Sequence, residues 1–179
     1  SVPGEIHVKF NLRAGGEGVW LYDTSARGGG LLDAVVFGPQ ITDLSLGRLA
    51  DGTWGLTKPT FGAPNVAQRT GDASTLKLNE WLTDGVTPDF IELYNPDALP
   101  VPMAGLALTD HIGGAPARSP VAPLSFIPGH GFFAFTADGD NNSADHANFK
   151  LSSDGGQLGL YNPSTGKFLD RTVYGAQVS

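Results

Sequence analysis

His7-Val-Lys-Phe-Asn-Leu12, near the start of the chain, returns as His146-Ala-Asn-Phe-Lys-Leu151. The likeness continues in step, with Gly16 against Gly155, Leu21-Tyr22 against Leu160-Tyr161, Asp33 against Asp170, and Val36-Phe-Gly-Pro-Gln40 against Val173-Tyr-Gly-Ala-Gln177. About ten positions are identical, with one small gap in the turn after each Tyr. The interval between the copies far exceeds the ~20 to 50 residues of a stacking solenoid repeat, so each copy is expected to belong to a whole domain. The chain then holds the back half of one domain and most of a second. The first copy runs on through Asp43-Leu-Ser-Leu-Gly-Arg48 to Thr60-Phe-Gly-Ala-Pro-Asn65, whereas the second stops two residues after Gln177.

Around this repeat, short alternating or apolar runs recur about every ten residues, bounded by Gly, Pro, Asn and Asp, which is the spacing of a sandwich or barrel. Strands are predicted near 7–12, 18–23, 31–37 and 44–49, then near 76–82, 89–95, 104–109, 131–136, 147–151, 157–161 and 168–174. No window of helical length carries an i, i+3, i+4, i+7 apolar stripe, so the predicted class is all-β and mostly antiparallel. Residues 63–75 lack apolar periodicity and carry turn-formers. The boundary is therefore expected there: a partial unit over 1–65, a linker over 66–75 and a second unit over 76–179.

At 179 residues and 40% hydrophobic composition the chain can bury a core. Its 25 Gly and 13 Pro punctuate apolar runs instead of clustering, as in a turn-rich β domain. The net charge of -7, with 11 scattered Lys and Arg, argues against binding a phosphate backbone, so nucleic acid is not an expected partner. Without Cys there is no disulfide, thiolate metal site or thiol nucleophile, and no apolar run approaches the ~20 residues of a membrane span. No basic-then-apolar signal segment follows Ser1, and the chain is read as a piece of something longer.

Four constellations carry possible chemistry. The two-residue period of a strand puts Glu80 on the face of Leu76, Leu78 and Leu82, and Glu92 with Phe90 and Tyr94. Carboxylates on apolar faces suit acid–base work, but no neighbouring His or nucleophile completes a set, so a hydrogen-bonded structural role is preferred and catalysis is not expected. Asp138-Gly-Asp-Asn-Asn-Ser-Ala-Asp145 places oxygens at Asp138, Asp140 and Asn142, the first three odd positions of a calcium loop, with Asp145 nearby. Calcium is the one metal the sequence proposes. Against it, Phe149 stands where the bidentate Glu belongs and Ser143 where the loop Gly belongs, and turn-forming Asp and Asn explain the segment without an ion. His7, His111, His130 and His146 lack zinc spacing, and His7 and His146 hold equivalent places, so one structural job done twice accounts for that pair. Trp20, Trp54 and Trp81, with Tyr22, Tyr94, Tyr161 and Tyr174, have the chemistry of a sugar-binding face. Trp20 has only Gly159 as its counterpart, however, so core or subunit packing is preferred.

Asn79-Glu80, Asp89-Phe-Ile-Glu-Leu-Tyr-Asn-Pro96 and Met103-Ala-Gly-Leu-Ala-Leu-Thr-Asp110 resemble the opening of the bacterial lamin-tail domain. Ile127-Pro-Gly-His-Gly-Phe-Phe-Ala-Phe135, His146–Leu151, Gly156–Tyr161 and Asp170–Tyr174 follow in the family's order, and residues 43–65 resemble its closing stretch. The resemblance covers nearly everything outside the linker. It implies an immunoglobulin-like β-sandwich serving as a non-catalytic module of a secreted or cell-surface bacterial protein, through protein contacts. Set against the family pattern, the chain begins in mid-domain and ends before the closing strand, which leaves an unpaired edge. Three outcomes are open: residues 43–49 fold across to complete the second unit, a neighbouring molecule donates that strand and builds a filament, or the boundaries are experimental. A calcium-assisted glycan-binding accessory module is the remaining alternative.

Overall fold

The structure is a computed structural model that describes residues 8–85 and 87–177; His7 lies outside them. Strands β1 (Glu17–Tyr22), β2 (Leu31–Phe37), β3 (Ser45–Arg48), β4 (Trp54–Lys58) and β5 (Val66–Ala67) come first. Then follow β6 (Lys77–Leu82), β7 (Phe90–Tyr94), β8 (Val101–Pro102), β9 (Ala107–Thr109) and β10 (Ser119–Pro120). Last come β11 (Phe126–Ile127), β12 (Phe132–Thr136), β13 (Gly155–Asn162) and β14 (Lys167–Gly175). The described helices are two single 3-10 turns, Ser25–Arg27 and Ala73–Thr75, and all strand pairs are antiparallel. The protein is all-β, and no described helix is long and apolar enough to cross a membrane.

Two sheets, ordered β10-β9-β13-β14 and β12-β7-β6, enclose one core. Ile91 and Leu93 point inward from β7, Phe135 from β12, Leu108 from β9, and Leu158 and Leu160 from β13. Each such side chain contributes about 1.5–3 kcal/mol by leaving water, so this layer holds the body together. Leu76, Met103, Ala147, Phe149 and Leu151 join it from loops and extended segments. Residues 147–151 and 8–12, both predicted as strands, form no ladder. The later segment touches β12 and its loop only through single bridges, Thr136 with His146 and Asp138 with Lys150.

A register shift between Leu78 and Glu80 corrects the expected face of Glu80. The extra residue at Asn79 resets the alternation, so Glu80 faces solvent while Trp81 turns in against Tyr174, ring centroids 5.6 Å apart. Glu92 does share a face with Phe90 and Tyr94, and its Oε1 accepts from Asn79 Nδ2 at 2.7 Å.

The first segment has a separate sheet, β3-β4-β5. Residues 43–49 therefore do not cross over to complete the second unit, since Ser45–Arg48 pair with Trp54–Thr57. Asn65 fastens this sheet by donating to the Arg48 carbonyl at 2.9 Å. Part of the expected linker is built into it, as Ala67 pairs with Thr57. The segment is bolted to the body by backbone bonds from Gly38 to Pro123 and from Phe126 to Pro39 (2.8 and 2.9 Å), and by Gln40 Nε2 donating to Leu124 O at 2.8 Å. A Cβ on Gly38 would fall 2.0 Å from Ser125 Oγ, so only glycine permits this approach.

Candidate functional site

The hairpins β1–β2 and β13–β14 are built alike. Glu17 faces Phe37 as Gly156 faces Tyr174, Leu21 faces Asp33 as Leu160 faces Asp170, and each carries its register shift just after that Leu. Both are entered through a glycine with positive φ, 111° at Gly16 and 107° at Gly155, where a Cβ would press on the carbonyl of Phe37 or of Tyr174. Gln40 N donates to Ala14 O and Gln177 N to Ser153 O, each at 2.8 Å. Duplicated residues thus specify duplicated geometry.

Their surroundings differ. In the body, β13 is flanked on its second edge by β9, with Gly159, Leu160 and Tyr161 opposite Thr109, Leu108 and Ala107. Among the described residues nothing pairs with that edge of β1. Burial differs in the same sense: Ala147, Phe149, Leu151 and Leu160 are 0, 2, 7 and 0% exposed, whereas their counterparts Val8, Phe10 and Leu12, in the segment ahead of β1, and Leu21 in β1 are 65, 60, 58 and 59% exposed, while Val19 and Val35 are half-buried and Phe37 is buried. A sequence patterned for a core lies open to water. Clustered apolar exposure of this kind marks a contact surface.

Between this face and β3–β4 runs a groove of about 490 Å³, lined by Leu12, Val19, Val35, Phe37, Leu46 and Trp54 among others. Its opposite wall is fixed by Asp33, whose two carboxylate oxygens take Arg48 Nη2 at 2.9 and 2.8 Å, and by the Arg48 guanidinium lying 4.8 Å from the Trp54 ring centroid. That ion pair is exposed and worth little as stabilisation. On the outer face bulk moves across the hairpin: Trp20 and Leu31 stand where the body has Gly159 and Phe168. Trp20 and Tyr22 are exposed, so of the aromatic set this pair lies on the open edge. Trp81 and Tyr174 pack together, and Tyr161 packs on Phe168.

The loop from Asp138 to Asp145 directs its oxygens at its own atoms. Asp138 accepts from Asp140 N at 3.0 Å and from His146 Nδ1 at 2.8 Å, Asp140 accepts from Asn142 N and Nδ2, and Asp145 accepts from Ser143 Oγ. Among the described residues no three acidic or histidine side chains converge on a point that a metal could share. The arrangement is a chain of Asx turns with His146 as its clasp. The sequence suggests that His146 caps or bonds local backbone; its Nδ1 partner is instead the Asp138 side chain.

The Asp140 backbone N–H, followed by the charge and hydrogen bond of His146, holds the Asp138 carboxyl below its ordinary value despite opposition from burial. A depressed carboxylate adds stability above its unfolded value, and that stability is lost as pH falls through the lower folded value. In His146→Ala, the Asp138 midpoint followed by carboxyl NMR should rise, but stay below the ordinary value because the larger cause remains. A midpoint unmoved by the substitution would exclude the clasp.

No protein-family model, curated protein or solved structure matches the chain.

Proposed function

We propose that the chain is a non-catalytic module of a secreted or cell-surface bacterial protein, an immunoglobulin-like, lamin-tail-like sandwich that holds polypeptides together. What supports this reading is the open edge of the first hairpin and the segment leading into it, where four core-type residues whose counterparts are buried stand more than half exposed. Repeated from chain to chain, contact through such an edge would build a filament by strand exchange. Acidic groups contribute hydrogen bonds to loops and strands, as Glu92 does to Asn79 and Asp170 to Leu78 N.

Light scattering across a concentration series is expected to show a mass that rises with concentration. The double variant Phe10→Lys, Leu21→Lys should return it to a monomer with its melting temperature nearly unchanged, because exposed substitutions typically shift stability by no more than about 0.5 kcal/mol. A wild-type chain that stays monomeric throughout would overturn the proposal.

A further inference from the structure

We infer that the bare face of β1–β2 is a docking site for the opening half of another sandwich unit, a polypeptide patterned like residues 76–139 of this chain. This rests on the assembly reading above and names its partner. The molecule carries its own template for the complex. In the body, hairpin β13–β14 receives β9 on the outer edge of β13, and Phe149, Leu151, Leu158 and Leu160 are buried against side chains of β7, β9 and β12. Two hairpin residues also grip the opening strand β6 near its ends. Asp170 Oδ2 accepts Leu78 N at 3.1 Å, and Gln177 Oε1 accepts Thr83 N and Oγ1 at 3.1 and 2.7 Å.

Hairpin β1–β2 repeats the register, the bulge, the entry glycine and the inward apolar residues, and Asp33 repeats Asp170. What it lacks among the described residues is a strand on the outer edge of β1. The occupant's β9-like strand should therefore run antiparallel to β1, with residues equivalent to Ala107, Leu108 and Thr109 opposite Tyr22, Leu21 and Trp20. Its β7- and β12-like side chains would fill the apolar groove, and its β6-like strand would reach Asp33 by displacing the exposed Arg48 guanidinium from it.

A second copy can be this occupant only by strand exchange, releasing its opening half from its own hairpin. Its own β9 is already paired on both sides, by β10 and β13, and its Leu108 is buried. The occupant must carry an opening half not already closed by a hairpin of its own. Small apolar ligands fit poorly, because a strand edge offers a row of backbone N–H and C=O groups that only another strand satisfies.

The test supplies the occupant within the chain. A copy of residues 76–139 is joined directly ahead of Ser1, which gives the added half the same spacing to β1 that the native half has to β13. Amide exchange over Glu17–Tyr22 should slow about a hundredfold or more as an open edge becomes a central strand. The chain has no Cys, so an introduced pair reports without background. Tyr22→Cys with Ala107→Cys in the added copy should close a disulfide, while Tyr22→Cys with Gly105→Cys in the added copy should not. Unchanged exchange in β1 together with failure of the first pair to close, or equal closure of both pairs, would overturn the docking. The assembly reading is judged separately. Association of the unmodified chain with no docking in the fusion sinks only this inference, whereas docking in the fusion with a monomeric unmodified chain sinks only that reading.

Discussion

Phe149→Ala is expected to lower the unfolding free energy by about 3–5 kcal/mol, whereas Phe10→Ala, at the equivalent place in the other copy, is expected to change it by less than about 0.5 kcal/mol. The two phenylalanines occupy the same position in the repeated stretch. Phe149 is 2% exposed, with the Arg118 guanidinium 5.4 Å from its ring centroid, and Phe10 is 60% exposed. Removing the first ring forfeits its transfer from water and leaves a hole that neighbours such as Leu151 and Leu158 cannot fully close. Removing the second takes apolar surface away from solvent and leaves no hole. Since a domain is stable by only about 5–15 kcal/mol, the first loss is a large share of the whole. Urea titration of both variants measures the difference, and comparable losses in the two would mean that the first hairpin is covered in solution.

Asn95→Ala should cost about 3 kcal/mol, from about 1 kcal/mol for each of three hydrogen bonds removed. Asn95 is completely buried in the loop after β7. Its Nδ2 donates to Leu99 O and Pro128 O, both at 2.9 Å, and its Oδ1 accepts Asp97 N at 2.9 Å. One side chain thus ties the 95–99 turn to the approach of β12. The two segments come so close that a Cβ on Gly129 would lie 2.1 Å from Ala98 O. Alanine leaves the Leu99 carbonyl and the Asp97 N–H without this partner, and the Pro128 carbonyl with Gly131 N at 3.1 Å. A midpoint drop of about 6–12 °C follows for a chain of this size. Asn95→Asp should be worse near neutral pH, because it turns a carboxylate toward two carbonyl oxygens. A thermal scan of both variants tests this, and an unchanged midpoint in Asn95→Ala would remove Asn95 from the role assigned here.

Alternation of side chains was enough to read β6, β7, β12 and the two long hairpins from the sequence, because each is patterned for one buried and one wet face, although in β1–β2 that pattern lies largely open. The two-residue strands β8, β10 and β11 are too short to show a period. The shift at Asn79 is also silent in sequence: no Gly or Pro marks it, and the run from Leu76 to Leu82 keeps a regular pattern across a backbone that does not. For the candidate site, the repeat foretold an exposed edge but not its place. The expectation centred on the end of the second unit, whose core is nevertheless buried, while the first hairpin lies open. Pairing identical positions and asking which are shielded from water would have located it, and that comparison needs coordinates. The calcium-like spacing of Asp138, Asp140, Asn142 and Asp145 is equally ambiguous in sequence, because alternate oxygen side chains serve an ion and a run of Asx turns alike.

The clamp of Gly38, Pro39 and Gln40 on Pro123–Phe126 has a consequence for anything larger than one chain. Backbone bonds on either side of a contact that tolerates no Cβ leave the open edge little freedom to swivel against the body. Each join would then impose the same rotation and the same advance as the one before it. Successive molecules would trace a spiral of constant pitch, and a bulkier residue at position 38 would loosen its coils.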